Sequence, residues 1–165
     1  MNSSTQDFRS RARLWKRGNR YEDFEIGRQF QHHWGRTLTE GDNVMFSTLT
    51  LHYNPLYFNT PYATAHGHPR LIVNPLLAFN TVFGLTVEDL SEGGGPFLGV
   101  EKLQFHRPVH VGDTVRAVSE VTDRRISEKF KGFGIVTWHT QGFNQDGECV
   151  LEFDRSNLVK LRDAK

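Results

Sequence analysis

One short segment of this chain brings together side chains that can exchange protons. His52 and Tyr57 flank the pair Asn54-Pro55. A neutral imidazole can accept a proton near pH 7, and a phenol can donate a hydrogen bond or a proton. Proline ends a preceding helix, because it has no N–H and disfavours helical backbone in the residue before it. The segment is therefore predicted to be a loop held open for a ligand, with Asn54 bonding to its own backbone.

A short helix should lead into this loop. Thr39 and Asp42 have the spacing of a capping box, in which each side chain bonds the backbone N–H of the other residue. The helix is predicted to end near His52, ahead of the Asn-Pro stop. Its predicted apolar positions are Val44, Met45, Phe46, Leu49 and Leu51.

A second helix is predicted from Pro75 to about Leu90, with Asn74 as its N-cap. Its apolar residues cover most of the circumference, which indicates a buried helix. The glycines of 93–96 end the segment. We interpret them as a loop, because neither a Lys-Ser/Thr pair nor a helix follows as in a phosphate-binding motif.

From residue 97 onward the hydrophobic pattern alternates as in β-strands. Strands are predicted over 98–105, 115–121, 135–140, 149–153 and 157–161, with a hairpin turn at 144–147, and another precedes the first helix over 29–36. Trp34 and Trp138 lie in these strands and are predicted to pack in the core or a dimer interface. The order predicts an α+β fold with an antiparallel sheet wrapped around the buried helix.

Composition limits the class of protein. The 165 residues suit a basic extension over 1–20, which holds six of the 20 lysines and arginines, and one domain over 21–165. The extension is predicted to be solvated, with no nucleic acid as partner. A membrane span is not expected, since no run of 18 apolar residues occurs. The single cysteine, Cys149, indicates a reducing compartment, hence the cytoplasm, and no metal site is predicted.

The combination of motifs resembles the MaoC-like, R-specific enoyl-CoA hydratase family, whose members have the hot-dog fold. The resemblance covers about residues 21 to 160 and includes the Asn54-Pro55 loop and the run Pro108-Val109-x-x-Gly112-Asp113-Thr114. It implies addition or removal of water at the double bond of an enoyl thioester, without a cofactor beyond the CoA of the substrate. It also implies a homodimer or larger homo-oligomer.

The chain departs from the family pattern at its reactive positions. The family has aspartate and histidine where this chain has His52 and Tyr57, and a His-Gly pair where it has Asn74-Pro75. The resemblance makes His52 and Tyr57 the catalytic candidates, with their identities exchanged. Proline has no N–H, so an oxyanion donor is expected from Leu76, Leu77 or the Asn74 amide. A non-catalytic subunit that binds acyl-CoA remains an alternative, as does a thioesterase, which the absence of acidic residues over 43–87 disfavours.

The exchange of aspartate for histidine predicts a carboxylated substrate. An aspartate about 4 Å from a substrate carboxylate would be repelled by roughly 4 kcal/mol at an effective dielectric near 20. His52 removes that repulsion, which points to a mesaconyl- or itaconyl-type acyl-CoA and to the branch of the family that takes such substrates. Asn54, Asn74 and Leu76 are the candidates for substrate contact, and Arg70 and Arg107 for the CoA phosphates. His66 and His68 are interpreted as surface histidines.

Overall fold

The computed structural model of the protein describes residues 18–164. Its centre is one antiparallel sheet of five strands in the order β1-β3-β4-β5-β2. The strands are β1 (Gln29–Thr37), β2 (Phe97–Phe105), β3 (Thr114–Ile126), β4 (Phe133–Phe143) and β5 (Cys149–Lys160). The sheet edges are therefore β1 and β2, and the longest strands lie between them.

Helices occupy the segment between β1 and β2. They are α1 (Glu40–Leu49), α2 (Thr60–Ala65), α3 (Pro75–Leu85) and α4 (Val87–Leu90), with single 3-10 turns at Tyr21–Asp23 and Pro55–Tyr57. Ala78 and Val82 of α3 pack into the main hydrophobic cluster with Val115, Leu151 and Phe153 of the sheet. The predicted α+β architecture, an antiparallel sheet around a central helix, is confirmed.

The central helix is shorter than predicted. It ends at Leu85, and Thr86 separates it from the short α4 instead of continuing to Leu90 as one helix. The Thr86 hydroxyl donates to the carbonyl of Phe83 and also accepts a hydrogen bond from Arg155, so a contact distant in sequence holds the break. Leu76 is 45% exposed, so only part of the helix circumference is covered.

The first helix buries polar residues and leaves most of its predicted apolar positions exposed. Asn43 and Ser47 are its buried residues, whereas Met45 and Leu49 are 65% and 77% exposed. The predicted capping box of Thr39 and Asp42 is confirmed. The helix ends at Leu49 instead of near His52, because the chain turns through Leu51 at a φ of 56°.

The strands are longer than their sequence patterns indicated. Residues 149–153 and 157–161 were predicted as separate strands, yet they belong to one continuous β5 that pairs with β4 along its length. Trp138 is fully buried, as predicted. Trp34 is 60% exposed and donates to Glu88, so it does not pack in the core of this chain, and its place in a dimer interface stays a prediction.

Two further predictions concern the basic extension and a membrane span. Most of the basic extension, residues 1–17, lies outside the described residues. Within the described part of the chain, none of the helices has the length and apolar character needed to cross a membrane.

Candidate active site at the start of the central helix

Asn74 connects the start of α3 to the candidate catalytic loop. Its side-chain oxygen accepts the N–H of Leu76 at 3.0 Å, which is the predicted helix cap. Its amide nitrogen donates to Nδ1 of His52 at 3.0 Å and lies 3.4 Å from the Ser47 hydroxyl. Asn74 is completely buried, and its bond to His52 is partly shielded from water.

This arrangement fixes the tautomer of His52. The N–H of Leu76 can only donate, so the oxygen of the Asn74 amide must face it and the nitrogen must face His52. Nδ1 of His52 is therefore an acceptor, and Nε2 carries the hydrogen of the neutral ring. The exposed imidazole presents an N–H donor rather than a free lone pair.

Tyr57 lies beside this imidazole. The two ring centres are 5.4 Å apart in an edge-to-face arrangement, and Tyr57 is only 6% exposed. Burial raises the pKa of the Tyr57 phenol, and a hydrogen bond with the Asn54 side chain offsets part of that rise. The phenol therefore keeps its proton at neutral pH. Asn54 also accepts the N–H of Leu56, which confirms that it shapes its own loop.

Two residues of α1 position the site without having been singled out in the sequence. The Asn43 side chain donates to the carbonyls of Tyr57 and Ile72, both at 2.8 Å, and accepts the N–H of Asn74 at 2.7 Å. Ser47 accepts from the N–H of His52 through its carbonyl at 2.9 Å. The only signal in the sequence was two small polar residues four apart on one helix face, which also occurs on solvated helices.

The expected oxyanion donors are already engaged. The N–H groups of Leu76 and Leu77 donate to the Asn74 side chain and carbonyl, and the N–H of Asn74 donates to Asn43. Pro75 has no N–H. The donors that remain available to a ligand here are thus the imidazole of His52 and the phenol of Tyr57.

Two separate cavities lie between α3 and the paired strands β2 and β5. The Tyr57 cavity, about 350 Å³, is lined by Tyr57 and Pro75 and by Phe105 and Leu151, which pair with each other. The Arg155 cavity, about 380 Å³, lies at the other end. Its lining includes Phe79, Phe83, Phe97, Arg155 and Asn157, and Phe97 pairs with Asn157. Between them Phe79 contacts Phe153 edge to face at 5.1 Å.

The arginines predicted to bind CoA phosphates lie apart from His52. Arg70 bonds Asp113 at 2.8 Å, and Arg107 bonds Glu148 at 3.0 Å. Together they line a further cavity of about 270 Å³, and Arg107 also reaches the rim of the Tyr57 cavity. Both side chains are about half exposed, so each is accessible to an anion.

One group of side chains has ligand atoms that could hold a metal ion. Atoms of His106, Cys149 and Glu152 lie within 4.8 Å of one another. Glu152 is already engaged, since Gln141 donates to it and His106 lies 3.5 Å from it. His66 is exposed and stacks on Tyr62 at 4.0 Å. His68 is half-buried, with its ring centre 5.8 Å from that of His110, so of the two predicted surface histidines only His66 is exposed.

The sheet order, the central helix and the asparagine-capped loop define a class of hot-dog proteins of the MaoC-like type. A solved structure from Chloroflexus aurantiacus, described as a putative MaoC domain protein dehydratase, superposes with a TM-score of 0.83 and 36% identity over 90% of this chain. The sequence model of the mesaconyl-CoA hydratase family matches residues 3–165. This chain belongs to that family.

Two relatives differ from this chain in length, one longer and one shorter. The mesaconyl-CoA hydratase of Haloarcula hispanica is 34% identical over 154 residues, which are 93% of this chain and 43% of that protein. The (R)-specific enoyl-CoA hydratase of Aeromonas caviae is 34% identical over 116 residues, 70% of this chain and 81% of that protein. The Chloroflexus structure is also covered only to 42%. The chain thus spans less than half the length of the mesaconyl-CoA hydratase relative.

Proposed function

We propose that this chain is a hydro-lyase that adds water to, or removes it from, an acyl-CoA thioester at the His52–Tyr57 site. The observation that carries the proposal is the 3.0 Å hydrogen bond from Asn74 to His52, which fixes a reactive imidazole at the start of α3. Membership of the mesaconyl-CoA hydratase family supports the same reaction class. The reaction is redox neutral, so we propose no cofactor beyond the CoA of the substrate.

The two side chains differ in what they offer the reaction. Nε2–H of His52 and the phenol of Tyr57 are two adjacent donors, suited to hold the oxygen atom that is added or removed. Proton transfer to a base needs a lone pair, and on His52 this is Nδ1, which receives the Asn74 hydrogen bond. That bond must open for His52 to act as the base. The availability of Nδ1 of His52 as a base is therefore coupled to Asn74, which caps α3.

We propose a short, carboxylated acyl group as substrate. Aspartate in place of His52 would repel a second carboxylate, whereas imidazole does not. The name of the Haloarcula relative, mesaconyl-CoA hydratase, refers to a dicarboxylic acyl group. The Tyr57 cavity supplies an apolar surface for the carbon chain beside the reactive pair.

The test compares hydration of mesaconyl-CoA and crotonyl-CoA, followed by loss of enoyl-thioester absorbance. We expect wild-type turnover with preference for mesaconyl-CoA, and a fall in kcat of at least about 100-fold for His52→Ala, the usual contribution of one acid–base group. His66→Ala is the matched control, because His66 is also an exposed imidazole and stacks only on Tyr62. Equal rates for His52→Ala and wild type would contradict the proposed site.

A non-catalytic subunit is the second candidate function. It is favoured by the engaged N–H groups at the start of α3 and by the occupied Nδ1 of His52. In that case the purified chain would bind the CoA thioester without turnover. Hydration would then be observed only after a second, catalytic polypeptide is added.

We also propose a partner and a location for the chain. We propose that the chain assembles with a second hot-dog domain, in the simplest case a second copy. Exposed apolar residues on the edge strand β2, Phe97, Leu98 and Phe105, support this assembly. We propose the cytoplasm as its location, on the strength of the single free Cys149.

A further inference from the structure

A β-bulge at the start of β5 places Cys149 and Glu152 on the same face of the sheet. Successive residues of a regular strand point to opposite faces, so two positions three apart would lie on different faces. The pairing of β5 with β4 shifts between Leu151 and Cys149, which makes Val150 an extra residue in β5. Val150 and Leu151 are both buried, whereas Cys149 and Glu152 are both partly exposed. The bulge has therefore redirected the Cys149 side chain.

The end of β2 brings an imidazole to the same place. His106 follows the last residue of β2, and its N–H donates to the carbonyl of Val150 in the bulge at 2.9 Å. Nε2 of His106 lies 3.5 Å from Oε1 of Glu152. The ligand atoms of His106, Cys149 and Glu152 all lie within 4.8 Å of one another. Three side chains from two neighbouring strands thus converge on one point.

The separations between these atoms fit a metal coordination sphere. Zn²⁺ binds histidine nitrogen, cysteine sulfur and carboxylate oxygen at about 2.0–2.3 Å in tetrahedral sites, so neighbouring ligand atoms lie roughly 3.3–3.8 Å apart. The 3.5 Å between His106 and Glu152 falls in this range and exceeds the usual length of an N–H···O hydrogen bond. The Cys149 sulfur, within 4.8 Å of both atoms, reaches the same range after a shift of about 1 Å. The exposed His106 side chain can supply much of this shift by rotation.

Neighbouring side chains hold the Glu152 carboxylate so that one oxygen is left for an ion. Gln141 donates to Oε2 of Glu152 at 3.3 Å, and Nε2 of His139 lies 3.7 Å from the same oxygen. His139 is oriented in turn by Asp154, which lies 2.9 Å from its Nδ1. Oε1 of Glu152 faces His106 instead. Outer contacts of this kind orient the carboxylate ligands of metal sites.

The donor set selects the kind of metal. One imidazole, one thiolate and one carboxylate suit Zn²⁺, whereas Mg²⁺ and Ca²⁺ take oxygen ligands. Three protein ligands leave a fourth position for water. No metal site was predicted from the sequence, because residues 106, 149 and 152 lack the spacing of a zinc motif and converge only through the bulge.

We propose that His106, Cys149 and Glu152 bind one Zn²⁺ ion, which links the end of the edge strand β2 to the start of β5. On binding, the Cys149 thiol releases its proton to solvent and bonds the ion as a thiolate. Glu152 lies on the opposite face of β5 from Leu151, which lines the Tyr57 cavity. The ion therefore stabilises the fold and takes no part in the reaction. The site is independent of the proposed hydro-lyase function.

The first test is binding of the metal alone. Protein without a histidine tag is freed of metal with a chelator, dialysed, and titrated with Zn²⁺ by calorimetry and with Co²⁺ by absorption spectroscopy. We expect one ion per chain and a sulfur-to-cobalt charge-transfer band, which reports a thiolate ligand. Cys149→Ser should abolish the band. His106→Ala and Glu152→Gln should each weaken Zn²⁺ binding at least about 100-fold, and Gln141→Ala, which removes an outer contact, about tenfold.

His33→Ala is the matched control for the first test. His33 is also an exposed imidazole beside a glutamate, since its Nε2 lies 3.7 Å from Glu88, but it is on β1 and has no cysteine to complete a site. We expect this variant to bind Zn²⁺ as the wild type does. Absence of the charge-transfer band, or equal Zn²⁺ affinity in wild type, His106→Ala and Cys149→Ser, would overturn the proposal.

The second test measures stability, because an ion that binds only the folded chain raises its Tm. At a free Zn²⁺ concentration about 100 times Kd, we expect the Tm of the wild type to rise by about 5 °C or more. The Tm of His106→Ala, a change at an exposed residue, should not respond to Zn²⁺. No rise in wild type, or an equal rise in His106→Ala, would contradict the site. Neither test uses turnover, so failure of one proposal leaves the other intact.

Discussion

At the scale of single residues, the Asn74 amide determines which nitrogen of His52 faces the ligand. The same side chain caps α3 through its oxygen, so it cannot rotate to serve His52 differently without losing the cap. A helix cap contributes about 1 kcal/mol of stability. This is comparable to the cost of breaking the hydrogen bond between the Asn74 amide and Nδ1 of His52. The chemistry of the imidazole is in this way tied to the fold.

Asn74→Asp should reverse the tautomer of His52. An aspartate caps helices as well as asparagine does and accepts from both Leu76 N–H and a protonated Nδ1. The lone pair then moves to Nε2, where it faces the ligand. ¹⁵N NMR of the imidazole measures this directly, and we expect the assignments of Nδ1 and Nε2 to exchange relative to wild type.

The rate should respond in the same variant. If proton transfer to His52 limits hydration, Asn74→Asp increases kcat by about tenfold, within the range of general-base effects. Asn74→Ala, which lacks both bonds, serves as the comparison and should lose activity and roughly 1 kcal/mol or more of stability. An exchanged tautomer with an unchanged rate would show that the Asn74 bond does not control the chemistry.

Tyr57 should act as a donor across the whole neutral and mildly alkaline range. Because burial raises its pKa, the phenol keeps its proton above the pH at which an exposed tyrosine would lose it. The profile of kcat against pH should therefore show no loss from Tyr57 below about pH 10. Tyr57→Phe should lower kcat by about 100-fold at every pH in this range. An alkaline loss that disappears in Tyr57→Phe would contradict this account.

At the scale of elements, α1 holds the loop that follows it in place through hydrogen bonds. Asn43 joins three backbone groups from Tyr57, Ile72 and Asn74, which lie up to 31 residues away in sequence. A buried amide with every bond satisfied specifies one arrangement of these segments. The start of α3 and the 3-10 turn that carries Tyr57 are held at a fixed separation.

Asn43→Ala should therefore be strongly destabilising. It leaves two carbonyls and one N–H buried without a partner, at about 1–3 kcal/mol for each unsatisfied group. Because the segments can relax, we expect a total loss of roughly 3–5 kcal/mol in urea denaturation and a large loss of activity. Thr48→Ala on the exposed face of the same helix is the control, expected to change stability by less than about 0.5 kcal/mol. A loss of unfolding free energy below about 1 kcal/mol for Asn43→Ala would contradict this positioning role of Asn43.

Local signals in the sequence were sufficient for the elements but not for the polar network. The Thr39–Asp42 box and the Asn74 cap were predictable because both partners lie within a few residues. The second bond of Asn74, to His52, spans 22 residues and has no local signal. For the same reason the polar inner face of α1 and the end of α3 at Leu85 were missed, since contacts from other elements decide both.

At the scale of the whole molecule, the edge strand β2 presents exposed apolar side chains beside both cavities. Phe97 and Leu98 on this edge are 54% and 47% exposed, and Phe97 also contacts Phe83 in the wall of the Arg155 cavity. An unpaired edge with apolar side chains is a pairing surface. A second hot-dog domain on β2 would close the Arg155 cavity from outside.

Assembly and ligand binding should consequently be linked. We expect Leu98→Glu to shift the protein from dimer to monomer in light scattering after size exclusion, because a charge at the centre of a desolvated interface is costly. Ile26→Glu, at a residue 63% exposed away from this strand, should leave the dimer intact. The monomer should bind the acyl-CoA at least about tenfold more weakly, because Phe105 of the same strand lines the Tyr57 cavity and would lose the cover of the partner domain. A monomeric Leu98→Glu that keeps wild-type affinity would show that one chain completes the site alone.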